Sequence, residues 1–100
     1  MIFPFEKDRF RHALLERTGD VCLVERTNLV TGSVHWEVVV LRHQPARTLP
    51  DGSWTPASER YPSGNDWGRF GWTYTDVREA RQQWGSLCAR PSQTGGSDAA

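Results

Sequence analysis

The feature that most constrains the fold is a segment, 59–84, in which large aromatic side chains are interleaved with glycines. Burial of aromatic side chains supplies much of the stability of a small domain, and glycine lets the backbone turn sharply or approach another segment closely. The aromatic residues are Tyr61, Trp67, Phe70, Trp72, Tyr74 and Trp84, and the glycines are Gly64, Gly68 and Gly71. A segment that combines both residue types is expected to form a specific packed shape.

The length of 100 residues suits one compact domain. We predict that residues 1–90 form this domain and that residues 91–100, which have nothing to bury, form a disordered tail. Twelve basic and twelve acidic residues cancel, which argues against a general nucleic-acid-binding surface. The N-terminal charges do not fit a signal peptide, and no apolar run has the length of a membrane span. We therefore expect a cytoplasmic protein with Cys22 and Cys88 as reduced, buried thiols.

The N-terminal segment, 4–18, predicts an α-helix. Pro4 suits the first helical turn, and the residues after it are rich in good helix formers. Gly19 can adopt the left-handed conformation that commonly ends a helix. At helical spacing, one face of the segment carries Phe10, Ala13, Leu14 and Arg17.

The next two segments predict an antiparallel β-hairpin. Residues 21–28 and 33–43 are rich in β-branched side chains, and a short stretch that contains Thr31 and Gly32 separates them. One face of the second strand carries Val34, Trp36, Val38 and Val40, and we expect this apolar face to contact the core. The other face carries His35, Glu37, Val39 and Leu41. It begins polar and becomes apolar, so we expect it to be half covered.

The remaining elements complete the predicted fold. Residues 47–49 and 53–55 predict a small hairpin around the turn at 50–52, residues 71–75 predict a strand, and residues 76–88 predict a helix that Thr75 or Asp76 can cap. The predicted fold class is α+β, with an N-terminal helix, a small antiparallel sheet of three or four strands, and a C-terminal helix packed on one face. The predicted core comprises Trp36, Val38, Val40, Trp72, Tyr74, Val77, Ala80, Trp84 and Leu87.

Motifs for catalysis, metal binding and cofactor binding are missing from the sequence. His35-Trp36-Glu37 matches the His-x-Glu half of a zinc deaminase signature, but the Pro-Cys-x-x-Cys half is absent, and alternation along a strand explains the spacing. The three histidines and two cysteines have no spacing typical of a zinc site. No nucleophile elbow, phosphate loop or dinucleotide fingerprint occurs. We therefore predict a non-enzymatic protein without a cofactor or metal.

Arginines lie among the aromatic residues of the segment, and three interpretations account for them. The rings can fill the space between sheet and helix while arginine stems cover their edges. They can form a stacking platform for nucleic-acid bases. Alternatively, some rings belong to the core while one or two form a protein-binding hot spot with an arginine, because Trp, Tyr and Arg dominate such sites.

We predict that the loop 59–70 presents a partner-binding surface, because loops held by a rigid scaffold are where binding residues concentrate. This loop is also unusually aromatic for a connector. The predicted partner-binding residues are Arg60, Tyr61, Trp67, Arg69 and Phe70. Trp67 or Phe70 is expected near the centre of the surface, and Arg60 or Arg69 at its rim.

Two motifs within residues 34–88 form a distinctive string. They are Glu59-x-Tyr61-Pro62-Ser63 and Trp67-Gly68-x-x-Gly71-Trp72-Thr73-Tyr74, preceded by the strand Trp36-Glu37-Val38-Val39 and followed by a helix that contains alanine. The string resembles a recurrent type of small phage and prophage protein of uncharacterised function. The resemblance implies a phage origin. Small phage accessory proteins often bind and disable a host protein, with CRISPR effectors and other defence complexes as frequent targets, and no catalytic residue carries over.

The favoured function is a non-enzymatic, phage-type accessory protein that binds and inhibits a host protein, for example a CRISPR or other defence complex. The alternative is a nucleic-acid-binding module that uses the arginine and aromatic residues, and an undetected small enzyme is third. The expected partner is a host protein or protein complex in the cytoplasm. If the protein has the favoured function, we expect neither a membrane nor nucleic acid as its direct ligand. A homodimer is compatible with the sequence.

Overall fold

The computed structural model describes residues 1–90, which form a mostly β fold with one C-terminal α-helix. The strands are β1 (Phe5–Lys7), β2 (Phe10–Thr18), β3 (Val21–Asn28), β4 (Val34–Val40), β5 (Arg42–Gln44), β6 (Arg47–Thr48), β7 (Trp54–Thr55), β8 (Ser58–Arg60) and β9 (Gly71–Tyr74). A turn of 3-10 helix comprises Gly64–Asp66, and the helix α1 comprises Val77–Ala89. The predicted disordered tail, 91–100, lies outside the described residues.

The predicted N-terminal helix, 4–18, is wrong, because this segment forms the hairpin of β1 and β2. Asp8 and Arg9 take left-handed backbone angles, with φ of 54° and 68°, and make the tight turn between the two strands. β2 then pairs along its length with β3, with a bulge between Leu14 and Glu16. Helix-forming composition is a weak local preference, and a long antiparallel ladder with cross-strand packing outweighs it.

The central sheet has five antiparallel strands in the order β1-β2-β3-β4-β9, whereas three or four strands were predicted. Two small sheets, β5-β8 and β6-β7, extend from it. The predicted α+β fold class is therefore also wrong, since the described chain is mostly sheet and has no N-terminal helix. The predicted hairpin of 21–28 with 33–43 corresponds to β3 and β4, and the predicted small hairpin corresponds to β6 and β7.

One face of the central sheet packs against α1. Asp76 caps this helix, because its carboxylate accepts a hydrogen bond from the backbone N–H of Arg78 at 2.8 Å. Trp84 packs against the sheet, and its indole Nε1 donates a hydrogen bond to the carbonyl oxygen of Val21 at 3.2 Å. The core on this side contains Leu23, Val38, Ala80 and Leu87, with Val21, Trp36, Val40, Trp72, Tyr74 and Trp84 around them. It includes every predicted core residue except Val77.

The other face of the sheet holds a second apolar cluster, which the sequence analysis expected to be only half covered. Its buried members are Cys22, Val24, Val39 and Leu41, and Phe3, Leu14 and Tyr61 pack against them. The cover comes from the N-terminal segment and from the residue that follows β8. Residues of β3 and β4 are therefore buried on both faces, and the segment that begins at Tyr61 is attached to the sheet.

Within residues 1–90, no helix combines the length and the apolar character that a membrane crossing requires.

Candidate functional site

The segment 61–70 is attached to the central sheet through Tyr61. Its hydroxyl donates a hydrogen bond to Oε1 of Glu37, with 2.5 Å between the two oxygens. Burial, together with the negative charge of Glu37, raises the pKa of Tyr61 well above its ordinary value. The phenol therefore stays protonated and keeps donating. Tyr61, one of the predicted partner-binding residues, lies largely inside the protein and positions the start of the segment.

Glu37 is the centre of a buried polar group that we call the Glu37 cluster, formed by Glu37, His12, Arg26 and Tyr61. The carboxylate is 2% exposed. Its Oε2 lies 3.0 Å from Nη1 of Arg26, and its Oε1 lies 4.0 Å from Nε2 of His12. A buried carboxylate is costly unless it is paired and hydrogen-bonded, and here both oxygens have partners.

His12 lies beside this carboxylate in an aromatic environment. Its ring stacks on Phe5 with 4.4 Å between centroids and an angle of 5°, and it meets Tyr61 edge to face. Burial lowers the pKa of His12, and the Arg26 charge adds to this effect, whereas the Glu37 charge opposes it. His12 is therefore neutral near pH 7. Among residues 1–90, its Nδ1 finds no hydrogen-bond partner.

A cleft of about 400 Å³ opens above the Glu37 cluster, with Lys7 and Phe10 on one side and Trp67 and Thr73 on the other. A carboxylate, an imidazole and a phenol at the base of a cleft could in principle exchange protons with a substrate. However, Glu37 is committed to Arg26 and Tyr61, and the phenol is buried. The arrangement fits attachment of the segment 61–70 better than acid–base chemistry.

A compact turn continues the segment after Tyr61. Asp66 accepts hydrogen bonds from the backbone N–H and the hydroxyl of Ser63, at 3.0 and 3.3 Å. Its other oxygen accepts from Nη1 of Arg42 at 2.8 Å. The Ser63 backbone bond and the Arg42 charge both lower the pKa of Asp66, so the carboxylate is charged at neutral pH. Pro62 is buried just before the turn. The turn is therefore held by the burial of Pro62 and by the hydrogen bonds of Asp66.

Trp67 follows the turn and is 36% exposed. Its indole Nε1 donates a hydrogen bond to Oγ1 of Thr73 at 2.9 Å. The six-membered ring lies directly over Gly71, where a Cβ atom would come within 2.6 Å of Cζ3 of Trp67. Glycine at position 71 is therefore required for this ring position, and the exposed part of the indole is held in one orientation.

Phe70 is half-buried, and two guanidinium groups lie against its ring. The Cζ atom of Arg42 lies 4.1 Å from the ring centroid, and that of Arg69 lies 5.1 Å from it. Such cation–π contacts contribute about 0.5–1 kcal/mol at exposed sites. The ring therefore contacts and weakly stabilises two arginine side chains at the surface.

The structure separates the predicted partner-binding residues into three environments. Arg60 and Arg69 are exposed, Trp67 borders the cleft above the Glu37 cluster, and Phe70 is half-buried under its two arginines. Tyr61 points inward and lies between these surfaces. The five residues therefore belong to one structural segment, but they do not form a single aromatic patch.

The sequence did not reveal the roles of His12, Arg26 and Arg42. Glu37 was expected on the half-covered face of its strand and matches half of a zinc motif, but in the structure it pairs with Arg26 and Tyr61. One signal was available for Glu37. A lone carboxylate within an otherwise apolar strand needs a buried partner if its face of the sheet is covered. No comparable signal identifies the partners, because they come from distant segments.

One group of side chains in the described residues has the composition of a metal site. Ligand atoms of Asp20, His43 and Glu59 lie within 4.8 Å of one another. However, Glu59 already pairs with Nη2 of Arg17 at 2.7 Å and with the amino group of Met1, and these cations lower its pKa to about 2. His43 Nε2 lies 2.9 Å from Asp20. The positive charges beside Glu59 disfavour a metal ion at this position.

No protein-family model, curated protein or solved structure matches the chain.

Proposed function

We propose that the chain binds another protein through a surface composed of Arg60, Trp67, Arg69 and Phe70, and that this binding inhibits the partner. The observation that carries the proposal is the fixed, partly exposed indole of Trp67. A tryptophan that is already ordered loses little conformational freedom when a partner covers it, so more of the contact energy contributes to affinity. Tryptophan and arginine are also the residues most enriched among energetic hot spots.

The surroundings of Trp67 support this proposal. The turn 63–66 and the Tyr61–Glu37 hydrogen bond order the segment from one end, and the pairing of β9 with β4 orders it from the other. Arg69, two residues after Trp67, contacts the ring of Phe70. Aromatic residues and arginine are the types enriched at protein interfaces.

The class of partner comes from the resemblance to small phage and prophage proteins. On that basis we propose a host protein or protein complex in the cytoplasm as the target, with a CRISPR effector or another defence complex as the leading example. Inhibition then follows from steric occlusion of the partner, because the Glu37 cluster is committed to holding the segment 61–70 in place. No catalytic residue or cofactor has a role in this proposal.

The test is affinity capture from an extract of the native host, followed by mass spectrometry. Wild-type protein is compared with Trp67→Ala, with Arg69→Glu and with the matched control Trp54→Ala. Trp54 is 66% exposed on the separate β6–β7 hairpin, so its removal deletes an exposed indole elsewhere. We expect both segment variants to lose the captured partner while the control retains it. Thermal melting of each variant verifies that the fold persists.

Two results would contradict the proposal. Retention of the partner by both Trp67→Ala and Arg69→Glu would show that the interface lies elsewhere. Capture that weakens steeply with added salt and disappears after nuclease treatment would indicate a nucleic-acid ligand instead, because phosphate contacts release counterions.

A further inference from the structure

A second groove, with a volume of about 470 Å³, shares Tyr61 and Ser63 with the cleft that Trp67 borders. We call it the arginine groove and define it by Arg42, Arg60, Ser63, Asn65 and Asp66. We infer that the arginine groove receives an acidic side chain, aspartate or glutamate, from the protein partner. The inference rests on the proposed function and specifies the chemistry of the partner at the same surface.

The first observation is that two arginines are cross-strand neighbours in the β5–β8 sheet. Arg42 of β5 pairs directly with Arg60 of β8 in the antiparallel ladder, so both side chains lie on the same face of this small sheet. Like charges directly opposite each other in a sheet are destabilising. A negative group between or beside them would remove this repulsion.

The second observation is that the groove contains too few carboxylates to compensate. Asp66 pairs with Arg42 at 2.8 Å, and Arg42 is also held by the ring of Phe70. Arg60 forms no ion pair or side-chain hydrogen bond with any residue of the described chain, 1–90. Its neighbour Glu59 cannot serve it, because alternate residues point to opposite faces and Glu59 is paired with Arg17. The groove therefore keeps an unpaired guanidinium.

The charge of the chain favours a carboxylate side chain over a nucleic-acid backbone as the occupant of the groove. A guanidinium presents a planar fork of N–H donors that matches either a carboxylate or a phosphate in a bidentate arrangement, so this geometry requires an anionic group and the charge of the chain decides its source. Twelve basic and twelve acidic residues cancel over the chain, which disfavours an extended polyanion as the ligand. A short acidic segment of a protein places a negative charge in the groove alone.

The test uses a synthetic hexaglutamate peptide as the probe and follows the arginine side-chain Nε–H signals by nuclear magnetic resonance. The expected result is a saturable shift of the Arg42 and Arg60 signals. Arg60→Ala should weaken hexaglutamate binding about tenfold, as expected for loss of a hydrogen bond to a charged group. The matched control Arg47→Ala removes an exposed arginine from β6 and should change the affinity less than about twofold.

The outcomes separate this inference from the proposed function. The inference is overturned if hexaglutamate shifts the signal of neither arginine, or if Arg47→Ala weakens hexaglutamate binding as much as Arg60→Ala does. It is also overturned if hexathymidylate shifts the same signals and binds with higher affinity than hexaglutamate. In host-extract capture, loss of the partner in both Trp67→Ala and Arg60→Glu supports both ideas. If Trp67→Ala abolishes capture and Arg60→Glu does not, only the acidic occupant of the groove is wrong. If Trp67→Ala and Arg69→Glu both retain the partner, the proposed function itself fails.

Discussion

At the scale of single residues, Glu37 connects more parts of the candidate site than the other residues of its cluster do. Its carboxylate accepts from Tyr61 and pairs with Arg26, so one side chain of β4 connects β3 to the segment after β8. Removal of one partner from a buried charge costs far more than the pair itself contributes, because the remaining charge is left without compensation. The Glu37 cluster therefore determines where the proposed interface lies.

The buried imidazole of His12 predicts that the stability of the protein depends on pH. Its pKa in the folded protein is lowered from 6.5, mainly by burial, so the unfolded chain takes up the proton first as pH falls. Stability contributed by neutral His12 is therefore present above about pH 6.5 and declines below it, until the folded pKa is passed. We expect the urea concentration at the denaturation midpoint of wild-type protein to decrease when the pH is lowered from about 7.5 to about 5.5.

Two variants test whether His12 causes this decline. His12→Phe retains an aromatic ring against Phe5 and should flatten the dependence in this range. His43→Asn removes an imidazole whose side chain is 58% exposed, and it should retain the decline. An unchanged slope in His12→Phe would show that another group is responsible.

Gly71 gives a prediction about the Trp67 ring. Gly71→Ala introduces a Cβ where the Trp67 ring now lies, so the ring must move and its bond to Thr73 is lost. We expect a loss of about 1–3 kcal/mol in the free energy of unfolding and a shifted fluorescence maximum. Gly85→Ala is the matched control. Apart from the backbone of its own helix and its chain neighbours, no atom lies within 4 Å of the added Cβ, so within α1 the change should stabilise by about 0.5–1 kcal/mol. Equal stability of the two variants would contradict the tight contact at Gly71.

At the scale of elements, α1 and the segment 61–70 cover opposite faces of one sheet. α1 covers the face with Leu23 and Val38, whereas Tyr61 and the N-terminal segment cover the face with Cys22 and Val39. Each cover is attached by a hydrogen bond as well as by packing, through Trp84 on one side and Tyr61 on the other. The proposed binding surface is therefore on the side of the sheet away from α1.

Trp84 tests the attachment of α1. Trp84→Ala removes a large packed ring and the hydrogen bond to the Val21 carbonyl, and should reduce the free energy of unfolding by about 3 kcal/mol. The control Gln82→Ala alters an exposed position of the same helix and should change it by less than about 0.5 kcal/mol. Chemical denaturation measures both. An unchanged midpoint in Trp84→Ala would contradict the packing of α1 on the sheet.

At the scale of the whole molecule, a sheet with two covered faces places β3 and β4 in the middle layer. Cys22 of β3 is fully buried, and burial raises the pKa of its thiol to about 11. Cys88 of α1 is partly exposed, and both cysteines are free thiols. The two thiols are therefore expected to differ in reactivity, although the sequence analysis predicted both to be buried.

Alkylation measures this difference. Brief treatment of native protein with iodoacetamide at about pH 8 should modify Cys88 and leave Cys22 unmodified, because a buried thiol with a raised pKa supplies little thiolate. The same treatment in denaturant should modify both, as counted by mass spectrometry. Cys88→Ser is the control, and it should show no rapid adduct in the native state. Rapid modification of Cys22 in native protein would contradict a fully covered middle layer.

Local spacing along the chain was sufficient for the features that depend on local physics. Period-two alternation predicted the β3–β4 hairpin, the turn residues at 50–52 predicted the β6–β7 hairpin, and a capping aspartate before an apolar stripe predicted α1. Gly19 does take a left-handed φ of 59°, but it lies in the turn between β2 and β3 and not at the end of a helix. At the candidate site, local composition identified Arg60, Trp67 and Arg69 as candidates, and all three side chains are exposed.

Contacts between distant segments decided the rest. Residues 10–14 carry apolar side chains that satisfy either a helical or an alternating pattern. Pairing with β3 selects the strand because it buries His12 and partly buries Leu14 on one face. The same reason explains the inward position of Tyr61, which depends on a carboxylate 24 residues earlier in the chain. It also explains the arginine groove, where the register of β5 with β8 brings Arg42 opposite Arg60. Sequence spacing does not encode such registers, because they result from the total burial that the assembled sheet achieves.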